Sequence, residues 1–394
     1  MHNSTKYIWY SSTIFFVWFV LFICFMPVLH AEQIQKSNYC VELYGHNTNF
    51  KFEAPPLLLD QNIGLATLKQ NNDLLNTEIV RKLTEQMDYY STAFGMDDMA
   101  YILFTDKICN AIYNDANKVC LFKYAILKHK GYAVLLGYTQ TTLTVYGKLG
   151  FKVLNAIYVD HLKLTYTDLT FSQQVKPKAE NLYEEVVNTG RAFLMNEHRA
   201  PYYNAKKTKY SFHFEFEDFD YYFKGNVNQS LVEYYRELPD VEFSEVYLNY
   251  QLSDHSKNGL INALKEAVSN MDQTKAIDFI LKFTQETFTY KNDAETLGKE
   301  KFSFPEEVLA NRYSDCEDKS ILFAYLSKEV LRVPSVALLY YYKNHLNVAV
   351  AYNHKTSYNF IYKNQKYLVC EPSGCGFAPG QNAYDVSKAS IINW

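Results

Sequence analysis

The chain has 394 residues, of which 48% are hydrophobic, and a formal net charge of −4. This length predicts two or three domains, with enough apolar residues for sizeable cores. Because the sequence has no basic run, we expect no nucleic-acid partner. Neither a Cys-x-x-Cys motif nor a paired-histidine motif is present, so we expect no metal and no cofactor.

The N-terminal segment predicts export. Ile14 to Val28 is an apolar stretch preceded by Lys6 and followed by Ala31, a pattern typical of a secretory signal. We predict a signal peptide over residues 1–31 and a periplasmic or extracellular protein. The alternative is a signal anchor through residues 8–29, which approach the length of a membrane span. Membrane contact is expected only if this segment is retained.

Export makes the cysteines candidates for disulfide bonds. Six cysteines follow residue 31, an even number that becomes odd if one of them stays a free nucleophile. Cys370 and Cys375 have a Pro-Ser-Gly turn between them, and a disulfide joining them is one possible pairing.

Residues 32–200 predict an α+β domain, since helices are followed by a run of strands. Two short strands, Cys40 to Tyr44 and Asn49 to Phe52, come first. Apolar periodicity and alternation then predict helices at Glu78 to Phe94, Asp97 to Tyr113 and Asn117 to Lys130, and strands at Tyr132 to Tyr138, Thr142 to Gly147, Phe151 to Val159 and Leu162 to Thr167. A further helix, Tyr183 to Asn196, leads to a linker at residues 199–201.

Residues 201–257 predict a β-rich connecting segment. Phenylalanines alternate with polar residues from Tyr210 to Tyr222, as in one or two strands. Three helices are then expected to open a second α+β domain over residues 258–394: Asn258 to Met271, Gln273 to Tyr290 and Pro305 to Asn311.

The strongest chemical signal is Cys316, the predicted first residue of a buried helix. Ser314 and Asp315 are N-cap types, and Glu317 follows in the first turn. A thiol at this place lies against the positive end of the helix dipole, which lowers its pKa and favours the nucleophilic thiolate. Taken alone, however, a cysteine before an apolar helix is more often a small core residue.

Two further groups complete a candidate triad. His345 begins the second of two predicted strands, and Glu371 lies at the end of a third strand, Tyr367 to Pro372. Helix-borne cysteine, strand-borne histidine and strand-borne acid is the order of a Cys-His-acid triad. The imidazole takes the thiol proton and later protonates the leaving amine, while the acid fixes the imidazole tautomer. We expect the three side chains to converge.

These residues resemble the transglutaminase-like group of papain-fold proteins, whose hallmark is a (Gly/Ser)-Asp-Cys helix start, then His, then Asp-Pro-Thr. Here the motifs are Ser314-Asp315-Cys316, His345 and Glu371-Pro372-Ser373, with Glu where the family usually has Asp. The resemblance covers roughly Asn258 to the C-terminus. It implies an exported bacterial type of this superfamily, with the cysteine helix packed on an antiparallel sheet and a protein or peptide as substrate.

The resulting hypothesis is an exported cysteine-dependent amide hydrolase or acyltransferase, of the protease, amidase or transglutaminase type, that works through a thioester acyl-enzyme. The expected oxyanion donors are the Cys316 backbone N–H and one upstream side chain, for which we choose Gln285. Whether water or an amine resolves the acyl-enzyme stays open, as does the oligomeric state. The alternatives are a non-catalytic exported binding or scaffold protein on the same fold, and a membrane-anchored assembly factor.

The first half is predicted to be a degenerate copy of the catalytic half. Ungapped comparison of the strands lays Thr142 over His345 and Thr167 over Glu371, while comparison of the preceding helices lays Asn117 over Cys316. All three chemical groups would then be missing from the first half. Two unrelated α+β domains are the alternative.

Overall fold

The computed structural model describes residues 38–59, 62–75, 78–171, 178–183, 190–195, 199–242, 245–292, 301–353 and 358–393. The predicted signal segment lies outside these ranges. In the part of the chain they cover, no helix is long and apolar enough to cross a membrane. The protein is mixed α/β with antiparallel sheets, so the fold class is confirmed at this coarse level.

The first half contains a hairpin, helices and a five-stranded sheet. In chain order its elements are β1 (Asn38–Leu43), β2 (His46–Lys51), α1 (Leu65–Leu75), α2 (Glu78–Phe94), α3 (Asp98–Ile112), α4 (Ala116–His129), β3 (Val134–Tyr138), β4 (Leu143–Gly147), β5 (Tyr158–His161), β6 (Leu164–Asp168) and β7 (Asn181–Tyr183). The carboxylates of Asp97 and Asp115 accept hydrogen bonds from backbone N–H groups in the first turns of α3 and α4, which satisfies donors that the helices leave free.

A long hairpin opens the second half, and another five-stranded sheet closes it. Its elements are β8 (Lys207–Phe216), β9 (Phe219–Asn228), α5 (Gln229–Glu237), α6 (Glu245–Asn249), α7 (Asp254–Ser256), α8 (Asn262–Val268), α9 (Gln273–Thr287), β10 (Thr289–Tyr290), α10 (Pro305–Ala310), β11 (Tyr313–Ser314), α11 (Cys316–Leu326), β12 (Ser335–Tyr340), β13 (His345–Ala351), β14 (Phe360–Tyr362), β15 (Gln365–Cys370) and β16 (Ser390–Ile392). A π-helical turn joins α7 to α8.

The hairpin β8–β9 forms the strands predicted between Tyr210 and Tyr222, and it packs on helix α9, whereas the rest of the predicted β-rich segment contains helices α5, α6 and α7. Glu217 and Asp218 form the turn of the hairpin with φ of 49° and 64°, the conformation that suits the twist of paired strands. From Tyr210 to Phe216, every second side chain of β8 is buried. Phe214 lies edge-on to Phe279 and Phe283 of α9, with ring centroids 5.0 and 5.6 Å away.

A buried carboxylate fixes the hairpin to the helices that follow it. Glu306, which is 1% exposed, accepts hydrogen bonds from the backbone N–H of Asn228 at 2.6 Å and from the N–H and Oγ of Ser253, both at 2.9 Å. The Oγ of Ser256 donates to the same carboxylate. Helix α10 is therefore held against the end of β9 and the start of α7.

Both five-stranded sheets have the same strand order. The first runs β5-β6-β4-β3-β7 and the second β14-β15-β13-β12-β16, and all neighbouring strands are antiparallel. In the first half α4 packs on β3 and β4, and α3 packs on α4; in the second, α11 packs on β12 and β13, and α9 packs on α11. A duplicated fold requires this correspondence, and the duplication itself stays a hypothesis.

The turns of the two sheets correct the predicted overlay at the acid position. A two-residue turn with positive φ at both residues closes β5–β6 at residues 162–163 and β14–β15 at residues 363–364. Matching these turns, which fix the register of the hairpins, places Thr170 over Glu371. The predicted overlay of Thr167 is wrong because ungapped comparison ignored where the turns lie.

The helix N-caps correct the overlay at the nucleophile position in the same way. Asp115 caps α4 and Asp315 caps α11. Matching the two caps places Ala116 over Cys316, so the overlay of Asn117 is one residue out.

Matching the pairing of β4 with β6 to that of β13 with β15 keeps Thr142 over His345. Matching the loops at residues 139–142 and 341–344 instead places Leu143 over His345. The three positions are therefore occupied by Ala116, by Thr142 or Leu143, and by Thr170. The first half has no thiol, imidazole or carboxylate there.

Two local predictions in the first half are wrong, and one helix was missed. The helix from Tyr183 to Asn196 is contradicted because β7 ends at Tyr183 and residues 190–195 form bridges to Tyr132 and Leu149; residues 184–189 and 196–198 lie outside the described ranges. A side chain at Gly190 would meet the Tyr132 backbone at 2.4 Å, which explains the glycine. No strand begins at residue 151, and helix α1 was not predicted.

Candidate active site

Helix α11 holds Cys316 beside the start of β13. The Asp315 carboxylate accepts from the backbone N–H of Asp318 at 3.1 Å and caps the helix as predicted. One turn after the cysteine, Ser320 Oγ donates to the carbonyl oxygen of Leu346 at 2.6 Å. Residues four apart lie on the same helix face, so Cys316 faces the end of β13 at which His345 stands.

The imidazole of His345 is held between two acceptors. Its Nε2 lies 2.8 Å from Glu371 Oε2 and 2.6 Å from Asn347 Oδ1, and the residue is only 8% exposed. Asn347 keeps its oxygen toward the ring because its Nδ2 donates to Asn382 Oδ1 at 3.1 Å. Two acceptors at Nε2 keep the proton on that nitrogen, so the neutral ring presents an unprotonated Nδ1.

Glu371 fits the acid position despite its extra methylene. Its Oε1 accepts from Ser373 Oγ at 2.6 Å, so both carboxylate oxygens are engaged. A Cβ at Gly374 would lie 3.1 Å from Glu371 Cγ, which shows that the glycine leaves room for the longer side chain. The structure thus brings His345 and Glu371 together as predicted.

Gln285 does not have the predicted oxyanion role in this structure. Its Nε2 donates to the carbonyl oxygens of Glu371 at 2.9 Å and Phe377 at 3.0 Å, which uses both N–H groups of the amide. Its own backbone carbonyl accepts from Lys319 Nζ at 2.8 Å. Gln285 is therefore a positioning residue that anchors the end of β15 to α9 and α11.

The thiol of Cys316 bonds to a neighbour that the sequence did not single out. Its Sγ donates to Glu317 Oε2 at 2.7 Å, and among the described residues no hydrogen bond joins it to His345. Burial, followed by the charge and hydrogen bond of Glu317, raises the pKa of the Cys316 thiol well above its ordinary value. The predicted lowering is wrong because desolvation and an adjacent carboxylate outweigh the helix dipole.

The pKa of His345 is raised overall, although burial of the ring acts to lower it. Desolvation lowers this pKa, but the hydrogen bond and charge of Glu371, aided by Asn347, raise it above 6.5 overall. Glu371 therefore strengthens His345 as a base, while the raised pKa of Cys316 keeps its thiol protonated until a base accepts the proton.

Two tyrosines that we did not predict lie at the site. The ring of Tyr384 stands 4.7 Å from that of His345. The phenol of Tyr290 lies beside the thiol, and burial, with the charges of Cys316 and Asp315, raises its pKa to about 12. Asn347 was detectable, because it follows the histidine by two residues and so shares its strand face; Tyr384 lies in the C-terminal segment, where no pattern marks it.

The remaining cysteines do not form the disulfide considered for them. Cys370 is fully buried and Cys375 is exposed, and both are free thiols; the Cys375 Sγ instead lies 3.6 Å from the carbonyl oxygen of Gln285. Within the described ranges, no group of three or more His, Cys, Asp or Glu residues could hold a metal ion.

We predict that Glu317→Gln increases the reactivity of Cys316 at neutral pH. The substitution keeps the shape but removes the charge that opposes thiolate formation, and a pKa lowered by one unit gives about tenfold more thiolate well below the pKa. The second-order rate of alkylation by iodoacetamide, followed at Cys316 by peptide mass spectrometry, measures this. Exposed Glu286→Gln is the control; equal rates in wild type and Glu317→Gln would contradict the electrostatic account of the thiol.

Comparison with known proteins returned no match for this chain among protein-family profiles, curated proteins or solved structures.

Proposed function

We propose that the protein is a cysteine-dependent amide hydrolase or acyltransferase on a transglutaminase-like variant of the papain fold. One observation carries the proposal: His345 Nε2 is fixed by Glu371 and Asn347 at the point where the cysteine-bearing helix meets the sheet. This arrangement leaves Nδ1 as the basic nitrogen of the ring, which in the proposed reaction accepts the proton of Cys316. A buried histidine needed only for packing does not require two acceptors on one nitrogen.

In the proposed reaction the thiol first leaves Glu317. Rotation of the Cys316 side chain toward the imidazole transfers its proton to Nδ1, and the thiolate attacks the carbonyl carbon of the substrate amide. The backbone N–H of Cys316 has no intrahelical partner because it lies in the first turn. This N–H and the Tyr290 hydroxyl are the proposed donors to the oxyanion that forms.

The imidazolium of His345 then protonates the departing amine as the C–N bond breaks. This leaves a thioester on Cys316 and returns the ring to its neutral form, with Glu371 still accepting from Nε2. Water or a second amine attacks the thioester, giving hydrolysis or acyl transfer.

A second candidate function is a non-catalytic binding protein on the same fold. The observation that favours it is the hydrogen bond from the Cys316 thiol to Glu317, together with the raised thiol pKa. In that case the site would bind an extended peptide without forming a thioester.

We further propose that the protein is exported, on the basis of the apolar N-terminal stretch and Ala31. N-terminal sequencing of protein from its native host should find a start near Glu32. An intact Met1 in the membrane fraction would support the anchor instead.

We predict that Cys316→Ala abolishes activity and that His345→Ala reduces it by about 10²- to 10⁴-fold, the usual contribution of general acid–base catalysis. New amino termini released from casein report hydrolysis, and incorporation of dansylcadaverine into casein reports acyl transfer. Cys375→Ala is the matched control because it removes a neighbouring exposed thiol. Full activity of Cys316→Ala would reject the catalytic function, and absence of both activities in the wild type would favour the binding protein.

A further inference from the structure

A cleft of about 320 Å³ lies between the hairpin β8–β9 and the short ribbon β10–β11. Residues 209–213 of β8 form one wall, while residues 287–289 and 309–312 form the other. The buried Glu306 carboxylate ties the two walls together through the end of β9. The cleft is thus a fixed part of the fold.

Its first wall is an unpaired strand edge. Among the described strands, β8 pairs with β9 alone, so alternate N–H and C=O groups along its other edge point away from β9. In the described part of the chain, no backbone group bonds to that edge between Lys209 and His213. An edge of this kind is the surface to which an extended peptide adds as a further strand.

The cleft carries positive charge that the described residues do not neutralise. Lys209 and Arg312 are exposed, and neither has a carboxylate partner among the residues that the structure describes. His213 also lines the cleft, but it pairs with Asp220 at 2.5 Å. The lining residues include no Asp or Glu, although the whole chain has a net charge of −4. This charge favours an acidic occupant.

One residue that lines the cleft has a hydroxyl group without a hydrogen-bond partner among the described residues. Thr287 lines the cleft, and the Oγ1 of this residue is a buried atom without a hydrogen-bond partner in the described structure. Buried hydroxyls are normally hydrogen-bonded, so an occupant that offers a carbonyl or carboxylate oxygen would satisfy this donor.

The ribbon β10–β11 connects the cleft to the candidate nucleophile. Thr289 pairs with Tyr313 and Tyr290 with Ser314, and Tyr290 lies beside the thiol of Cys316. Arg312 precedes the cysteine by four residues, which corresponds to about 13 Å of extended chain.

We propose that this cleft binds an extended acidic segment of the peptide substrate as a strand added to β8. Its carboxylates pair with Lys209 and Arg312, about four residues from the amide at Cys316 when the chain is fully extended. The position of that amide rests on the proposed catalytic function, whereas binding in the cleft does not depend on the thiol.

The test uses the full chain with Cys316→Ala, so that binding is measured without turnover. The probe is a fluorescein-labelled dodecapeptide of alternating glutamate and valine, and its fluorescence anisotropy reports binding. We expect this peptide to bind at least about tenfold more tightly than the lysine–valine peptide, because charge reversal replaces attraction by repulsion. The added pair Lys209→Glu and Arg312→Glu should weaken binding of the glutamate peptide by a similar factor, whereas the control pair Lys163→Glu and Lys328→Glu, of equal charge change, should not.

Two N-methylated peptides test strand addition without altering the protein. Methylation of alternate amides along one edge of the probe should weaken binding, and methylation along the opposite edge should not. Equal binding of both methylated peptides, equal binding of the glutamate and lysine peptides, or no binding at all would overturn the proposal. If Cys316→Ala binds with charge selectivity but the wild type is inactive, the proposal for the cleft stands and the catalytic function is rejected. If the wild type turns over substrate but binding shows no charge selectivity, the catalytic function stands and the proposal for the cleft is rejected.

Discussion

The candidate site depends on the proton that His345 Nε2 shares between Glu371 and Asn347. Because both partners are acceptors, the tautomer is fixed and the ring cannot turn without losing two hydrogen bonds. The surrounding fold keeps these acceptors in place: Gln285 holds the end of β15 and Asn382 holds the amide of Asn347. Gln285 and Asn382 therefore help to fix which nitrogen of His345 carries the proton.

Three effects compete to set the pKa of the Cys316 thiol: the helix dipole, burial and the Glu317 carboxylate. A helix N-terminus favours a nearby anion by about 0.3–1 kcal/mol, and by about 2 kcal/mol in favourable partly buried sites. Burial disfavours the thiolate by more, and the Glu317 carboxylate adds to the same effect. A helix start next to cysteine is thus insufficient evidence of an activated nucleophile, since the side chain after it can reverse the shift. In the proposed reaction the Cys316–Glu317 bond is a resting arrangement that substrate must replace.

The sequence predicted the elements that have strong local signals. Helix caps and apolar periodicity gave the helix from Cys316, and alternation gave β8–β9, because these patterns are set by neighbouring residues. His345 and Glu371 were chosen from their order along the chain and from the family motif, and they meet because β13 and β15 run side by side. The overlay of the two halves was less accurate: the hairpin turns moved the acid position from Thr167 to Thr170, and the helix caps moved the nucleophile position from Asn117 to Ala116. Residues brought to the site from distant segments, such as Tyr384, gave no signal.

The central claim is that His345 is a base with a fixed tautomer and a carboxylate-raised pKa. Nitrogen-detected NMR of the ¹⁵N-histidine-labelled protein measures both properties during a pH titration. The account predicts a neutral ring protonated at Nε2 and a pKa above 6.5 that falls in Glu371→Gln, where the charge is lost. A neutral ring protonated at Nδ1, or a pKa that is unchanged in Glu371→Gln, would contradict it.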